Sequence, residues 1–380
     1  MQQLLDSEFP LQPDISYLNH AAVSPWPSRT AEAIVAFSRE NQHIGASQYP
    51  AWLTLEQRLR ERAARLIGAD SASDIALLKN TSEALSVVAH GIRWHAGENI
   101  VGIHKDFPSN RVVWESLADQ QVEFRPVDIF RTDRPEQALM QACDRHTRLL
   151  AVSSVHYATG LRLDLEMLGD FCEQRQILFC VDAIQSLGLI PFDLKRVKAD
   201  FVAADGHKWM LGPEGLALFY CRPRLRGQLR LHQYGWHMLE SPTDFDRIEW
   251  RASPTATRFE CGSPNMLGIH GLEASLSLLE HFGPEQVLKY TINNILYLID
   301  LLSKIDSIEF ISRIDSRQRL SGILCFRVAG RDSERLHKQL MQHKVVCACR
   351  GGGIRFSPHF YTSKQQIDRA CQILERLIKT

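Results

Sequence analysis

Short apolar runs alternate with amphipathic stretches between about residue 75 and residue 220. The apolar runs are typical of buried strands, and the stretches between them repeat their apolar positions every three to four residues, which predicts helices. The predicted strands are IALLK, NIVGI, QVEFRPV, RLLAVSS, ILFCVDA, DFVAA and LALFY. The predicted helices are EALSVVAHGI, RVVWESLADQ, PEQALMQAC and LEMLGDFCEQR. Strands that alternate with helices predict crossover connections and a mostly parallel sheet.

The regions on either side have a different pattern. Two helical stretches, TAEAIVAFSREN and WLTLEQRLRERAARLIG, come first, and the second ends at Gly68, a residue type that often terminates helices. From about residue 265 two long helices are followed by the short strands ILCFRVA, VVCACR and GIRFSP, with helices around 332–343 and 364–379. This order indicates a smaller α+β unit at the carboxyl-terminal end.

We therefore predict an α/β fold with two domains. The large domain, residues 21–262, is built on the mostly parallel sheet, and the small α+β domain covers residues 263–380. Residues 1–20 form an N-terminal segment that we expect to pack on the small domain or on the active site. Ligands of such sheets bind beyond the carboxyl ends of the strands, so residues directly after the apolar runs are the candidates for function.

Charge and composition argue against several classes of function. The chain has 44 Lys and Arg residues and 44 Asp and Glu residues, so no basic excess favours a nucleic-acid partner. No run of about 18 apolar residues predicts a membrane span. The first residues have neither the basic start nor the apolar stretch of a signal peptide. We expect a cytoplasmic protein without a membrane or nucleic-acid partner.

The nine cysteines predict neither disulfides nor a zinc site. Their number is odd, their spacing is irregular and no CxxC pair occurs. Most lie in apolar or periodic segments, where a free thiol packs as a small hydrophobic group. We therefore expect no bound metal and a reducing compartment.

Lys208 is the first candidate for chemistry. It lies in DFVAADGHKWMLGPEG, four residues after the predicted strand DFVAA, among glycines that allow close approach of the backbone to a ligand. Lysine is the side chain that forms Schiff bases with carbonyl compounds. From this fragment alone, a surface lysine that follows a strand remains an equal alternative.

Asp182 ends the apolar strand ILFCVDA and has no other charge near it in sequence. A buried carboxylate without a partner is costly, and a cofactor with a protonated ring nitrogen would supply that partner. Pyridoxal 5′-phosphate (PLP) is such a cofactor, since it works as an electron sink and needs an acidic residue at its ring nitrogen. One helix and one strand separate Asp182 from Lys208, which places both at the same edge of the sheet. The alternative is an aspartate that caps the next helix.

A phosphate site and a stacking site complete this pattern. Thr81 and Ser82 begin the helix after the strand IALLK, where free backbone N–H groups bind anions, and His207 adds a donor. Phe107 follows the strand NIVGI and is placed to stack on a flat ring. An ordinary helix N-cap and a core phenylalanine are the alternatives.

Six motifs occur in an order that resembles the class-V aminotransferase family of fold-type I PLP enzymes. They are YLNHAAVSPWP, KNTSEA, VDAIQS, DGHKWMLGPEG, RFECGSPN and GGGIRFSPHFY. The resemblance extends from about residue 15 to the C-terminus. The family includes cysteine desulfurases, selenocysteine lyases, isopenicillin-epimerase-like proteins and kynureninase-like proteins.

The resemblance implies a role for each candidate residue at the cofactor. Lys208 would hold PLP as a Schiff base and then transfer the α-proton of the substrate. The remaining cofactor contacts would be Asp182 at the ring nitrogen, Gln185 at the ring 3-oxygen, Phe107 stacked on the ring, and Thr81, Ser82 and His207 at the phosphate. Asp205 stands where relatives usually carry serine, and a carboxylate there repels phosphate unless a donor lies between them.

Further roles concern the substrate and a second subunit. Arg355 would bind the α-carboxylate of an amino acid through its guanidinium fork. Asn19 and His20 would line the substrate mouth. Ser263, in ECGSPN, would reach the phosphate of the neighbouring subunit, which implies a homodimer.

The reaction type is less well defined by the sequence. A cysteine desulfurase needs a nucleophilic cysteine on a loop before the carboxylate arginine, but only four residues separate Arg350 from Arg355. Cys347 and Cys349 lie in a strand-like run, and Phe107 replaces the histidine of desulfurases. We therefore favour transamination of an amino acid or amine, with C–S lyase or desulfurase-like chemistry and epimerisation as alternatives. A protein that binds PLP or amino acids without turnover is a further alternative.

Overall fold

The computed structural model describes residues 2–379 of the chain, without the side chain of Gln2. The strands of the described residues are β1 (Ser16–Tyr17), β2 (Ile75–Leu78), β3 (Asn99–Ile103), β4 (Glu123–Val127), β5 (Thr147–Ser153), β6 (Leu178–Asp182), β7 (Phe201–Asp205), β8 (Ala217–Cys221), β9 (Ile308–Phe310), β10 (Leu324–Val328), β11 (Val345–Val346), β12 (Ala348–Arg350) and β13 (Gly353–Phe356). The α-helices are α1 (Gln2–Glu8), α2 (Ser28–Ile44), α3 (Tyr49–Ile67), α4 (Thr81–Gly91), α5 (Ser109–Glu115), α6 (Pro135–Ala142), α7 (Leu165–Arg175), α8 (Leu194–Val197), α9 (Pro223–Arg226), α10 (Met266–Phe282), α11 (Pro284–Leu302), α12 (Ser333–Gln342) and α13 (Lys364–Lys379).

A seven-stranded sheet forms the centre of the molecule, in the order β2-β8-β7-β6-β5-β3-β4. The pairs β3–β4, β3–β5, β5–β6 and β6–β7 are parallel, and β8 runs antiparallel to both of its neighbours, β7 and β2. The prediction of an α/β fold with a mostly parallel sheet is confirmed. The carboxyl ends of β3, β5, β6 and β7 consequently meet at one edge.

Side chains from alternate positions of each strand pack into two cores, one on each face of the sheet. In β2, Ile75 and Leu77 belong to one core, and Ala76 and Leu78 belong to the other. This alternation is the period of two that strand geometry imposes. Because both faces are covered by helices, the strands appear in the sequence as continuous apolar runs.

Helix α10 packs mainly in the core of the large sheet. Its residues Leu272, Leu276 and Leu279 lie in the same apolar core as β2 and β6. The domain boundary at residue 263 stays a prediction, and the core of the large sheet continues past it through α10 as far as Gly283, which separates α10 from α11. Helical periodicity shows that α10 has a buried face, but it does not show against which core that face packs.

The small unit is a four-stranded antiparallel sheet, in the order β12-β13-β10-β9, covered by α11, α12 and α13. Strand β1 joins it by pairing in parallel with β11, and Leu18 lies in its core. Leu5 and Phe9 instead lie in the large core, so the N-terminal segment contacts both units. Met1 and Thr380, the ends of the two predicted terminal segments, lie outside the described residues.

No helix among residues 2–379 is long and apolar enough to cross a membrane.

Candidate active site

The candidate residues of the large domain meet at the carboxyl edge of the central sheet. Ser153 is the last residue of β5, and Asp182, the last residue of β6, is its partner in the register of the two strands. Lys208 follows β7 by three residues, and Phe107 follows β3 by four. Parallel pairing of these strands brings their carboxyl ends together, as the sequence pattern predicted.

Lys208 is a buried amine at the centre of this edge, with 8% of its surface exposed. Burial lowers the pKa of its ammonium group to about 8, although the carboxylate of Asp182 acts in the opposite direction. Its Nζ atom lies 5.6 Å from the centroid of the Phe107 ring. A lysine with a lowered pKa is more often neutral near physiological pH, and the neutral amine is the form that attacks carbonyl groups.

Asp182 is held in a defined orientation by two donors. The Asn110 amide nitrogen donates to one carboxylate oxygen at 2.6 Å, and the backbone N–H of Ile184 donates to the other at 3.0 Å. Its side chain is almost fully buried, and burial raises its pKa to about 6. Residues 184–189 form turns, so Asp182 does not cap a helix here.

At the phosphate end, Asn80 and not Thr81 or Ser82 caps helix α4, by accepting the backbone N–H of Glu83 at 2.8 Å. Thr81 accepts a hydrogen bond from the backbone N–H of Asp205 at 3.0 Å, which joins α4 to the end of β7. The Ser82 hydroxyl is paired with the hydroxyl of Ser109 at 2.7 Å and remains exposed. These hydroxyls therefore lie beside the free N–H groups at the start of α4.

His207 lies next to Asp205, the residue that stands where relatives usually carry a serine. Its Nδ1 atom is 2.9 Å from Asp205 Oδ1, although the two atoms are not aligned for a hydrogen bond. Asp205 is buried and His207 is mostly buried. An imidazole next to the carboxylate is the kind of donor that would separate Asp205 from an anion.

Gln185 is fixed by the protein at both ends of its amide group. Its nitrogen donates to the Ala21 carbonyl at 3.0 Å, and its oxygen accepts the indole N–H of Trp209 at 2.8 Å. One amide hydrogen is left for the predicted contact with a ring oxygen. Gln185 therefore ties the start of the large domain to the residue that follows Lys208.

Arg355 is a buried guanidinium group without a carboxylate partner in residues 2–379. It is 2% exposed, donates to the Tyr157 carbonyl at 2.7 Å and approaches Asn19 Oδ1 at 3.4 Å, while its Nε atom has no acceptor among the described residues. Burial, together with the charge of Arg350, lowers its pKa to about 10. A buried cation of this kind is costly unless an anion joins it.

The structure does not place His20 at the substrate mouth, where we expected it. The side chain is fully buried, and its two ring nitrogens are paired with the Ser357 carbonyl and the Tyr361 hydroxyl, each at 2.7 Å. Burial lowers its pKa to about 4, so the ring is neutral. We therefore remove His20 from the substrate-binding residues. Its neighbour Asn19 does reach Arg355.

Ser263, the residue that we expected to act in a neighbouring subunit, is exposed just before helix α10. Phe107 is 42% exposed and packs edge-on against Tyr157, with ring centroids 5.4 Å apart. An exposed aromatic ring beside a buried lysine leaves a face free for a flat ligand.

The sequence analysis missed three buried polar residues next to Asp182. Asp106, Asn110 and Ser153 are each at most 5% exposed and are joined by hydrogen bonds. Asp106 directly precedes Phe107, and Ser153 ends a strand in the same way as Asp182. A polar residue at or just after the carboxyl end of an apolar strand was the signal that could have found Ser153 and Asp106, whereas Asn110 lies in helix α5 and had no such signal.

Neither Cys347 nor Cys349, the two cysteines that precede Arg355, is activated as a nucleophile. Cys347 is 3% exposed, and burial raises the pKa of its thiol to about 12. Burial also raises the pKa of Cys349, which is partly exposed on β12. Thiols with raised pKa values are poor nucleophiles.

The arrangement fits PLP. A buried lysine, a buried carboxylate without a cation bonded to it, and an aromatic ring with one open face surround the same space. The hydroxyls at the start of α4 lie at the end where a phosphate would sit.

Two curated relatives resemble the chain along most of its length. A probable cysteine desulfurase from Methanothermobacter thermautotrophicus is 29% identical, over 97% of this chain and 96% of the relative. An uncharacterized aminotransferase, YcbU, from Bacillus subtilis is 30% identical, over 82% of this chain and 80% of the relative.

Solved structures of C-DES share the fold. One, a mutant with glycine covalently linked to the PLP cofactor, has a TM-score of 0.90 and 22% identity and covers 97% of this chain and 98% of its own. Another, a complex between the cystine C-S lyase C-DES and its reaction product cysteine persulfide, has a TM-score of 0.88 and 23% identity, with coverages of 96% and 98%. The sequence model of a family described as Aminotransferase class-V matches residues 16–370. With this match over nearly the whole chain, the protein belongs to the class-V aminotransferase family of PLP enzymes, as its motifs predicted.

Proposed function

We propose that this protein is a PLP-dependent C–S lyase that eliminates a sulfur group from the β-carbon of an amino acid related to cysteine. When bound, PLP supplies an electron sink for the electron pair left on the α-carbon. The residues of this chain bind the substrate, take its α-proton and determine where the sulfur goes.

The observation that carries the proposal is the unpaired guanidinium of Arg355. It is held by the Tyr157 carbonyl and Asn19, and its Nε atom has no acceptor within residues 2–379. A substrate carboxylate accepts two parallel hydrogen bonds from a guanidinium group and neutralises its buried charge. This supports an amino acid as the substrate, and not a simple amine.

Lys208 is the group that would move the proton. Burial keeps the pKa of its amine near 8, so a useful fraction is neutral at pH 7 to 8 and accepts a proton. The centroid of the Phe107 ring lies 5.6 Å from this amine. Lys208 would also hold the cofactor as a Schiff base until the amino group of the substrate takes its place there.

The sulfur group would leave as a free product, because no thiol is placed to receive it. Cys347 is buried, and Gly351 and Gly352 turn directly into strand β13 without the loop that a nucleophilic cysteine needs. C-DES, whose fold this chain shares, is named a cystine C-S lyase with cysteine persulfide as product. These points favour elimination over transfer of sulfur to the enzyme, although relatives are named cysteine desulfurases.

The test is a product analysis with L-cystine, L-cysteine and S-alkylated cysteines. Elimination yields pyruvate and ammonia together with hydrogen sulfide from L-cysteine, a persulfide from L-cystine or a thiol from an S-alkylated cysteine, whereas desulfuration of L-cysteine yields alanine. Lys208→Ala should abolish turnover and the visible absorption band that borohydride removes. Alanine as the main product, or a borohydride-sensitive band that survives Lys208→Ala, would sink this assignment.

Transamination is the second candidate, favoured by the 30% identity to the protein named as the aminotransferase YcbU. The steps assigned to Arg355 and Lys208 are the same up to proton removal. The outcome differs because the amino group then stays on the cofactor. Formation of a 2-oxo acid that keeps the side chain, with a stable pyridoxamine-type spectrum, would identify this reaction. No spectral change with any amino acid would instead favour a binding protein without turnover.

A further inference from the structure

We propose that Asp106 is a positioning residue that acts on Asp182 through Ser153 and Asn110 and strengthens the negative field at the ring nitrogen of the cofactor. This inference rests on PLP binding at the site proposed above. It concerns a residue that the proposed reaction does not otherwise use.

Asp106 is a second buried carboxylate beneath the floor of the site. It is 5% exposed and lies between β3 and Phe107. Its oxygens accept the Ser153 hydroxyl at 2.7 and 2.9 Å and the backbone N–H of Phe107 at 2.7 Å. No arginine or lysine among the described residues forms an ion pair with it, so these neutral donors are its partners.

Asn110 and Ser153 link the two aspartates, and each hydrogen bond of this link is donated in the direction away from Asn110. Its amide nitrogen donates to Asp182 at 2.6 Å and to the Ser153 oxygen at 3.2 Å. Ser153 then uses its only hydrogen for Asp106. Both carboxylates are therefore bound as acceptors, which favours their ionised forms, while burial acts against this and raises the pKa of each to about 6. The hydrogens of the Asn110 amide and of the Ser153 hydroxyl are all used in these bonds. Asp106 therefore acts on Asp182 through its charge and by orienting the bridging side chains, and no proton moves between the two aspartates.

The negative charges of Asp106 and Asp182 are not neutralised by an ion pair with any of the described residues. Among the described residues, the other titratable groups near the two aspartates are Lys208 and His156, whose Nε2–H donates to the Lys105 carbonyl next to Asp106 at 3.1 Å. Burial lowers the pKa of His156 to about 4, so it is neutral. When Lys208 binds a carbonyl compound, its ammonium charge is replaced by that of a Schiff-base nitrogen, which is positive only while it is protonated. The protonated ring of PLP would then be the main counter-charge for both aspartates.

Asp106 also fixes the stacking residue. Its contact with the backbone N–H of Phe107 holds the segment that starts at Lys105, whose φ of 59° is unusual for a lysine. A purely structural role would end there. If Asp106 also acts through its charge, its removal shifts the pH midpoint at which the lysine-bound cofactor is protonated. Absorbance measures this midpoint directly.

The experiment is a pH titration of the visible absorption band of the purified holoenzyme. We expect Asp106→Asn to lower the midpoint by about one unit, since a unit charge acts over roughly 10 Å at an effective dielectric constant near 20. Ser153→Ala, which keeps the charge but breaks the bridge, should lower it by less. Asp119→Asn removes an exposed aspartate in the same domain and should leave the midpoint unchanged.

The outcomes separate this inference from the proposed function. If the wild-type protein shows no lysine-bound cofactor, both proposals fall. If Asp106→Asn binds PLP and titrates with the wild-type midpoint, only the role of Asp106 is overturned. Should Asp106→Asn not fold, an unchanged midpoint in Ser153→Ala overturns that role, and a lowered midpoint supports it.

Discussion

At the scale of single residues, the candidate ligand-binding side chains are charged groups that are buried without an ion-pair partner. Lys208, Asp182 and Arg355 are each at most 8% exposed, and none of them pairs with an opposite charge in residues 2–379. By contrast, the buried Arg60 is bonded to both Glu56 and Glu260. The charge of Arg60 is therefore compensated within the protein, whereas Arg355 has no carboxylate partner and can bind an anionic ligand.

Arg355→Ala should lower kcat/KM for an amino-acid substrate by roughly 100-fold or more, because charge-assisted hydrogen bonds to a carboxylate are lost. Binding of PLP should change much less, since Arg355 faces Tyr157 and Asn19. Steady-state kinetics and a PLP titration measure the two effects. Arg350→Ala, which removes an exposed arginine five residues earlier, is the control. Equal losses in PLP and substrate binding would contradict the role of Arg355.

The sequence could predict Lys208 and Asp182 because both follow apolar strands at the sheet edge. It could not predict that both nitrogens of His20 are used by Ser357 and Tyr361, since these partners lie more than 300 residues away. Asp106 was missed for a related reason. Its partner Ser153 is 47 residues away along the chain and is a neighbour only through the pairing of β3 with β5.

At the scale of elements, tight turns after the strands hold the site in place. Gly188 has a φ of 92° in the turns that follow β6, and a Cβ atom there would lie 2.3 Å from the Trp209 carbonyl oxygen. Since Trp209 is the residue after Lys208, the two turns that carry Asp182 and Lys208 are packed directly against each other. Their spacing therefore depends on a glycine.

Gly188→Ala should destabilise the protein by at least about 2 kcal/mol, because it combines a left-handed backbone with a clash against a main-chain atom. It should also weaken PLP binding, since relief of the clash displaces the backbone next to Lys208. Thermal unfolding and a PLP titration measure these effects. Gly227→Ala is the matched control, as its φ is −70° and a Cβ atom there has open space. Unchanged unfolding of Gly188→Ala would contradict the packing described.

Periodicity predicted the strands of the large sheet to within about two residues, because most of them are buried on both faces. The edge strand β4 is the exception, since its residues are partly or fully exposed. Periodicity was less successful in the small unit. The run VVCACR appears as one strand but divides into β11, which pairs with β1, and β12, which pairs with β13. The short strand β9 alternates between partly exposed and exposed positions, so it has no continuous apolar run.

At the scale of the whole molecule, the segment between α9 and α10 exposes apolar side chains that we expect to contact a second copy of the chain. Phe245, Ile248 and Trp250 are 79%, 93% and 56% exposed in the segment between α9 and α10. Clustered exposure of this extent is typical of protein interfaces. Together with the exposed Ser263, it supports the homodimer that the motifs implied.

Light scattering should therefore give about twice the chain mass of 43.3 kDa. Replacing both Phe245 and Ile248 with aspartate should shift the equilibrium toward the single chain, because charges oppose burial of this surface. Met341→Asp, on an exposed position of α12, should not. A wild-type mass equal to one chain at micromolar concentration would contradict the homodimer.

The pairing of β1 with β11 has a consequence for how the protein is made. Ser16 pairs with Val345, and Asn19 meets Arg355 across 336 residues of chain. During synthesis the large sheet can form as soon as its last strand emerges, while the first strand waits without a partner. The contact between Asn19 and Arg355, where we propose that a substrate carboxylate binds, can therefore form only after the strand-end residues Asp182 and Lys208 have been made. We expect a ribosome-bound chain to assemble the residues of its cofactor site before those of its substrate site.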